Sequence, residues 1–403
     1  MKEIGAMTTE EFIQAYSVER HGTDSLKWDD LQARYGNADL LSMWVADMEF
    51  KTCPEIIEAM TQRIQHGVFG YSRIDDGYFA AFSHWMERHF HWPIQKEWVR
   101  FSPGVVTALY WMVNCFTQPG DACLILTPVY YPFHNAIKDT GRKLVTVDLA
   151  YDHGYFTMDF DAIEKAIVDN DVKLFIQCSP HNPAGRVWTE EELDRILDIC
   201  QRHHVLVVSD EIHQDIVTGD KKQIPAAIVH GGKYLDNLIV CSAASKTFNL
   251  AGLLHAHIVI PDKKLRDAYD AYAKTVNQIE VNIMGVTATR AGYEHGEAWL
   301  DQVLKVIRQN YDYVKKTLAA GAPKITVTGM EGTYLCMLDL RPYVAIDDIK
   351  TFVQDKCNLA VDYGEWFGEH YKGFIRLNLA TDPKYVHQAM KNIVSGIQSL
   401  NRG

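Results

Sequence analysis

A single lysine, Lys246, stands where a run of apolar residues gives way to small hydroxylated ones, within residues 240–252. A lysine among small and apolar neighbours is poorly solvated, and poor solvation lowers the pKa of its amine. An unprotonated amine is a nucleophile, so the stretch predicts Schiff-base chemistry with a carbonyl compound. Taken alone, the same pattern also fits an ordinary solvated lysine on the protein surface.

Three other segments carry polar or glycine-containing patterns that could contribute to a ligand site. Asn182 and Asp210 each follow closely on a short apolar run. Residues 101–109 read as a turn, with Gly104, that opens an amphipathic helix. The free N–H groups at such a helix start bind phosphate well, although a plain loop-to-helix junction has the same pattern.

Apolar runs alternate with helical patterns through the middle of the chain. Predicted strands cover residues 122–126, 143–149, 173–178, 205–208, 238–241 and 256–260. Near-continuous apolar strands separated by helices predict an α/β fold with a mostly parallel sheet covered by helices on both faces. Ligands then bind at the carboxyl ends of the strands, where Asn182, Asp210 and Lys246 all lie.

A second pattern of strands and helices follows a long helical tract over residues 299–320, which has few helix breakers. We therefore expect two domains. Residues 51–298 form the large domain, and residues 299–403 form a smaller α+β domain. Residues 1–50 are expected to join that small domain from the other end of the chain.

The composition argues against several classes of partner. The chain has 403 residues, a net charge of −12 and 47% hydrophobic residues, which is typical of a globular protein. An acidic chain lacks the basic face that nucleic acid or an anionic membrane requires, and no run approaches the roughly 18 apolar residues of a membrane helix. No signal peptide is visible, and the eight cysteines are scattered without a Cys-x-x-Cys pair. We expect a cytoplasmic protein with reduced thiols and with neither nucleic-acid nor membrane partners.

Two histidines on one predicted strand, His255 and His257, form a possible metal pair because they alternate along the chain. Zinc sites need at least a third protein ligand, and none is evident in the sequence. We therefore predict no metal site.

The order of Asn182, Asp210 and Lys246 at three strand ends resembles the pyridoxal 5′-phosphate (PLP) enzymes of fold type I, the aspartate aminotransferase superfamily. The resemblance covers nearly the whole chain. It implies that Lys246 holds PLP as a Schiff base, exchanges it for the substrate amine and then moves the Cα proton. Asp210 is implied to pair with the pyridine nitrogen, and Asn182 and His213 to donate to the phenolic oxygen O3′. His213 stands where the superfamily usually has a tyrosine.

The same resemblance implies roles for two neighbouring tyrosines and for the phosphate ligands. Tyr130 would stack on the pyridine ring, and Tyr131 would face the substrate as a catalytic and substrate-binding group. The implied phosphate ligands are the backbone N–H groups of Val105 and Val106, with the hydroxyls of Ser242 and Ser245 as candidates. Leu254 and Ala243 stand where the superfamily has an arginine and a serine. The phosphate is therefore expected to meet fewer charges, or residues that the motifs do not identify.

Two further residues match positions of the superfamily outside the cofactor pocket. Arg376 matches the arginine that forms a bidentate bridge to the substrate α-carboxylate, beside Asn182. Tyr71, in a glycine-punctuated loop, matches the tyrosine that family dimers lend to the neighbouring subunit's phosphate. The resemblance thus implies a homodimer with shared active sites.

Three segments, residues 44–50, 128–132 and 245–252, look like the cystathionine β-lyase/cystalysin-type C–S lyase branch of this superfamily. That branch implies α,β-elimination of cystathionine or cysteine-type thioethers to pyruvate, ammonia and a thiol. An aminotransferase remains the alternative, because it uses the same apparatus. A PLP-binding regulator is a third interpretation, which would need an appended interaction module.

Overall fold

The structure of the protein is a computed structural model that describes residues 3–278 and 280–400. Its strands, in chain order, are β1 (Leu41–Ser42), β2 (Val99–Ser102), β3 (Ala122–Thr127), β4 (Lys143–Asp148), β5 (Ala150–Asp152), β6 (Tyr155–Thr157), β7 (Val172–Cys178), β8 (Leu206–Asp210), β9 (Leu238–Ser242), β10 (Ala256–Val259), β11 (Thr326–Val327), β12 (Leu335–Asp339), β13 (Leu359–Ala360), β14 (Asp362–Tyr363) and β15 (Phe374–Asn378). The longer helices are Thr9–Tyr16, Pro54–His66, Asp76–Phe90, Val105–Phe116, Phe160–Asn170, Glu190–Arg202, Lys263–Thr275, Ile283–His295, Glu297–Gly321 and Pro383–Leu400.

The central sheet has seven strands in the order β2-β10-β9-β8-β7-β3-β4. Its neighbours run parallel except for β10, which is antiparallel to both β2 and β9. The predicted α/β fold with a mostly parallel sheet is confirmed. Helices are needed on both faces because β3, β7, β8 and β9 are buried almost throughout.

Successive side chains of the central strands point into two separate cores. In β3, Leu124 and Leu126 belong to one core, while Cys123 and Ile125 belong to the other. Each face of the sheet therefore packs against its own helical layer, which explains why the strands read as continuous rather than alternating apolar runs.

The adjacent order of β7, β8 and β9 brings the three polar segments to one edge of the sheet. Cys178, at the end of β7, pairs with Asp210 at the end of β8. Asp210 in turn pairs with Cys241 in β9. Parallel strands in this register end side by side, so the residues that follow them meet above the same edge.

A smaller antiparallel sheet has the order β11-β12-β15-β14 and lies in the C-terminal part of the chain. The N-terminal segment contacts this part, since β1 pairs with β13. Gln302, in the helix Glu297–Gly321, also donates hydrogen bonds to the carbonyls of Ile4 and Met7. These contacts agree with the expected domain boundaries at residues 50 and 298, which stay a prediction.

The prediction that a turn begins at residue 101 was wrong. Val99–Ser102 forms strand β2, because Phe101 and Ser102 pair with β10 at the edge of the central sheet. The remaining residues still open a helix, Val105–Phe116, which begins directly after Gly104.

Candidate active site

A cavity of about 440 Å³ lies at the carboxyl ends of β7, β8 and β9. Its lining brings together Asn182, Asp210 and Lys246, one from each of the three polar segments. Tyr130 and His213 line the same cavity. Cavities that bind small molecules measure about 300–1,000 Å³, so residues far apart in sequence share one candidate ligand site.

Lys246 lies in the short helical segment Ala244–Thr247, just beyond the end of β9. Its Nζ donates a hydrogen bond of 2.7 Å to the carbonyl oxygen of Ala46. Burial lowers the pKa of the amine to about 8, against the opposing negative charge of Asp47. A lysine with this pKa is unprotonated at neutral pH far more often than one in solvent, and it is a stronger nucleophile.

Asp210 ends β8, and its Oδ1 accepts a 3.0 Å hydrogen bond from the N–H of Ile212. Burial raises the pKa of the carboxyl to about 7, although this hydrogen bond and the charge of Lys246 oppose the rise. A buried carboxylate is costly without a partner, and a cation beside it removes much of that cost. Asp210 is therefore suited to a ligand that brings a protonated nitrogen.

Two buried polar side chains, His213 and Asn182, offer further contacts to a ligand. The Nδ1 of His213 has no hydrogen-bond partner among the residues that the structure describes, and burial lowers the pKa of the ring. The Oδ1 of Asn182 accepts a 3.1 Å hydrogen bond from Arg376, so the Nδ2 amide remains as a donor. Both side chains can donate to an oxygen in the cavity.

Arg376 lies on β15 of the smaller sheet, where it is 2% exposed. Besides Asn182, its guanidinium donates to the carboxylate of Asp362, and it lies 4.8 Å from the ring centroid of Phe367. Its Nε has no partner among residues 3–278 and 280–400. The arginine is thus held on two sides and keeps a free donor, as a carboxylate-binding group requires.

The helix Val105–Phe116 points its first turn at the same cavity. Gly104, Val105, Val106 and Thr107 all line the cavity, and no side chain caps the helix start. Uncapped N–H groups at a helix start form an anion site. Ser245 lines the cavity too.

Four residues predicted for the site do not line this cavity within the chain: Arg376, which reaches it only through its hydrogen bond to Asn182, and three others. Ser242 is buried in β9, and its hydroxyl has no partner among the described residues. Tyr131 lies beside Tyr130, with ring centroids 5.2 Å apart. Tyr71 is 97% exposed and contributes nothing to its own chain's cavity.

Sequence reasoning missed the residues that contact the site from the N-terminal segment and from the smaller sheet. The carbonyl of Ala46 accepts hydrogen bonds from both Lys246 and Tyr334. Residues 44–50 were singled out only as a branch motif, and their position over the lysine was not foreseen. Nothing in the sequence marks Asp362 as the partner of Arg376, because an aspartate in a short strand is most often exposed.

The described part of the chain shows no group of three or more His, Cys, Asp and Glu residues arranged for a metal ion. The absence of a metal site stays a prediction. No helix within residues 3–278 and 280–400 is long and apolar enough to cross a membrane.

Comparison with known proteins agrees with this geometry. A family model for aminotransferase class I and II matches residues 38–393. The chain is 36% identical to cystathionine beta-lyase PatB of Bacillus subtilis, over 94% of this chain and 98% of that protein. It is 33% identical to the protein MalY of Escherichia coli, over 95% and 98% respectively. The chain belongs to the aminotransferase class I and II family.

A solved structure places the chain more narrowly. Cystalysin from Treponema denticola, which contains a pyridoxal 5′-phosphate cofactor, superposes with a TM-score of 0.91 at 33% identity, covering 95% of this chain and 98% of that one. Together with the two curated relatives, it assigns the chain to the cystathionine β-lyase branch of the family.

Proposed function

We propose that the protein is a PLP-dependent C–S β-lyase that cleaves cystathionine or cysteine-type thioethers to pyruvate, ammonia and a thiol. The observation that carries the proposal is the placing of Lys246 and Asp210 in one cavity. Their pKa values of about 8 and about 7 both reflect burial. The names of the relatives, among them cystathionine β-lyase and cystalysin, support the same reaction class.

The residues of the cavity fit PLP, and each polar group of that molecule has a match in its lining. Lys246 would hold the aldehyde carbon, and Asp210 would pair with the pyridine nitrogen. Asn182 and His213 would donate to O3′, since each keeps a free donor or an unpartnered nitrogen. Tyr130 would stack on the ring. When bound, PLP supplies an electron sink for charge at the substrate Cα.

The phosphate end of the cofactor would meet the first turn of the helix Val105–Phe116. The N–H groups of Val105 and Val106 are the proposed donors, and the Ser245 hydroxyl lies in the same lining. Ser242 is the weaker candidate, because its side chain lies outside the cavity lining.

The chain's own residues would perform three tasks in the reaction. Arg376 binds the substrate carboxylate, which fixes the orientation of the Cα–H bond. Lys246 takes the Cα proton, which its depressed pKa permits near neutral pH. Loss of the Cβ–S bond then leaves a thiolate, and either the protonated Lys246 or the Tyr131 hydroxyl supplies its proton.

Incubation of the holoenzyme with L-cystathionine without any keto acid tests this function. Pyruvate, measured through lactate dehydrogenase, and thiol, measured with a disulfide reagent, should appear in equal amounts. Lys246→Ala is the matched control and should release neither. If thiol stays absent while 2-oxoglutarate supports conversion of an amino acid, the protein is an aminotransferase instead.

We also propose a homodimer in which Tyr71 reaches the partner's cofactor phosphate. Tyr71 is 97% exposed, and Val68 and Phe69 beside it are 61% and 59% exposed. An apolar loop of this kind is costly in water and suits a partner surface. Leu254, at the rim of the cavity, is 56% exposed and offers an apolar site for it.

The proposed setting is the cytoplasm, with a small sulfur amino acid as substrate and no nucleic-acid or membrane partner. All eight cysteines are free thiols, and all but Cys115 are buried. Free thiols in this number are typical of a reducing compartment. The net charge of −12 supports the lack of a nucleic-acid partner.

A further inference from the structure

A buried cluster of three side chains lies beside the cavity, and none of the roles above uses it. The hydroxyl of Tyr78 lies 2.7 Å from the Nε2 of His255 and 2.5 Å from the Nε2 of His257. Tyr78, His255 and His257 are 1%, 6% and 0% exposed. His255 also lines the cavity, alongside Gly104 and Val105.

The hydrogen bonds of this cluster run in one direction when His255 is protonated. Tyr78 has one hydroxyl proton for two ring nitrogens, so it donates to one ring and accepts from the other. A protonated His255 donates from Nε2 to the Tyr78 oxygen, and Tyr78 donates its own proton to His257. Both contacts of Tyr78 are then satisfied, and the ring of His255 is fixed in place.

His255 lines the cavity, and Tyr78 does not engage its second ring nitrogen, Nδ1. It has no hydrogen-bond partner within residues 3–278 and 280–400. Burial lowers the pKa of His255 to about 4, so the ring is neutral when no anion is near. An anion against Nδ1 favours the protonated form and reverses that preference.

The charge balance of the cavity also points to His255. The basic side chains in its lining are Lys246, His213 and His255. Lys246 is committed to the aldehyde and His213 to O3′ in the proposed arrangement. Leu254 stands where the superfamily has an arginine, so no guanidinium is available at that position. His255 is the basic side chain of the lining that remains near the uncapped helix start.

We propose that His255 binds the cofactor phosphate, becomes a cation when the phosphate arrives, and is held in orientation by Tyr78 and His257. The proposal rests on the proposed function, because it assumes that PLP occupies this cavity. It deepens that function by naming a ligand that the family motifs do not identify.

The surroundings of His255 hold few other charges. Phe101 from β2 stacks on its ring at 5.2 Å, and Gly285 of the helix Ile283–His295 faces its Cβ without a side chain. Glu280 lines a smaller neighbouring cavity and is exposed to solvent. Titratable groups of the described chain that face the ring or share its cavities are Tyr78, His257, Glu280, His213, Asp210, Lys246, Tyr130 and Cys178.

Calorimetric titration of the full-length apoenzyme with pyridoxine 5′-phosphate tests the proposal. This probe lacks the aldehyde, so Lys246 forms no bond with it. Titrations at pH 8 in two buffers of different ionisation enthalpy give the number of protons taken up. Wild type should take up about one proton more than His255→Gln, because glutamine keeps a polar contact but never becomes a cation.

The affinity of each variant for pyridoxine 5′-phosphate should fall together with its proton uptake. His255→Gln should bind the probe about tenfold more weakly, which is typical of losing a charge-assisted hydrogen bond. Tyr78→Phe should show a smaller loss and a reduced proton uptake. His203→Gln is the matched control, because His203 pairs with Glu164 outside the cavity lining, and it should behave as wild type.

Equal proton uptake by wild type and His255→Gln would overturn the proposal. If His255→Gln fails to fold, the comparison is made on the wild type alone, between pyridoxine 5′-phosphate and pyridoxine, which has no phosphate. About one proton more for the phosphorylated probe supports the proposal, and no difference refutes it. Failure of wild type to bind PLP at all would remove the proposed function, whereas binding without extra uptake removes this inference alone.

Discussion

Replacement of Arg376 by alanine should damage the fold as well as the reaction. Arg376 and Asp362 form an ion pair whose side chains are 3% and 4% exposed. The guanidinium also bonds to Asn182 and lies against the ring of Phe367. The proposed carboxylate ligand is therefore part of the protein's own buried structure, and its removal leaves Asp362 without a partner.

The size of the effect follows from that burial. Removing one partner of a buried ion pair costs about 3–5 kcal/mol of the free energy of unfolding. The loss depends on pH, since burial already raises the pKa of Asp362 and Arg376 is the group that lowers it most. Without Arg376 the folded protein holds a proton on Asp362 that the unfolded chain releases. Stability of Arg376→Ala should therefore fall as the pH rises above the ordinary carboxyl range.

Chemical denaturation, followed by tryptophan fluorescence at pH 6 and pH 8, measures this loss. The double variant Arg376→Met/Asp362→Leu is the matched control. It should regain most of the stability, because an apolar pair of similar volume replaces a buried ion pair at little cost. It should regain no lyase activity, because the substrate carboxylate still lacks a ligand. If Arg376→Ala has the same free energy of unfolding as the wild type at both pH values, the reasoning is refuted.

Three further variants test the assigned roles. Lys246→Ala should release no pyruvate. Borohydride reduction of the wild type should attach the cofactor covalently to Lys246, as a peptide map would show, whereas reduction of the variant should not. Label on another lysine contradicts the assignment. Tyr131→Phe should lower kcat more than KM if the hydroxyl supplies a proton, so a change in KM alone argues against it. Tyr71→Phe should speed PLP loss on dialysis without unfolding, and sedimentation should show a dimer; a monomer with full PLP affinity excludes a shared site.

The sequence predicted the central sheet well where strands are buried on both faces. The apolar runs of β3, β7, β8 and β9 have no polar alternation, so they stand out from the helices between them. Strand β2 was missed because its sequence, Val-Arg-Phe-Ser, leads straight into Pro103 and Gly104. Those two residues are turn signals, and a strand at the edge of a sheet can be short and polar without further sign.

The helix Ile283–His295, whose buried face is made largely of small residues, was harder to predict. Ile283–His295 packs Gly292 against the ring of Phe248 and Gly285 against the carbonyl of Leu253. Such close approach needs small residues, which weaken the 3.6-residue apolar pattern that identifies surface helices. Only the tertiary contact explains these glycines, and it joins segments that are distant in sequence.

The loop over Lys246 shows what a single sequence withholds and why the arrangement works. The carbonyl of Ala46 accepts from Lys246 at 2.7 Å and from the Tyr334 hydroxyl at 2.9 Å. Asn378 fixes the loop by donating to the carbonyls of Val45 and Asp47. A neutral lysine amine that donates one N–H to Ala46 keeps its lone pair for an incoming carbonyl carbon. When Lys246 leaves to form that bond, Tyr334 still satisfies Ala46, so no buried carbonyl is stranded and the exchange avoids a desolvation cost of about 1–3 kcal/mol.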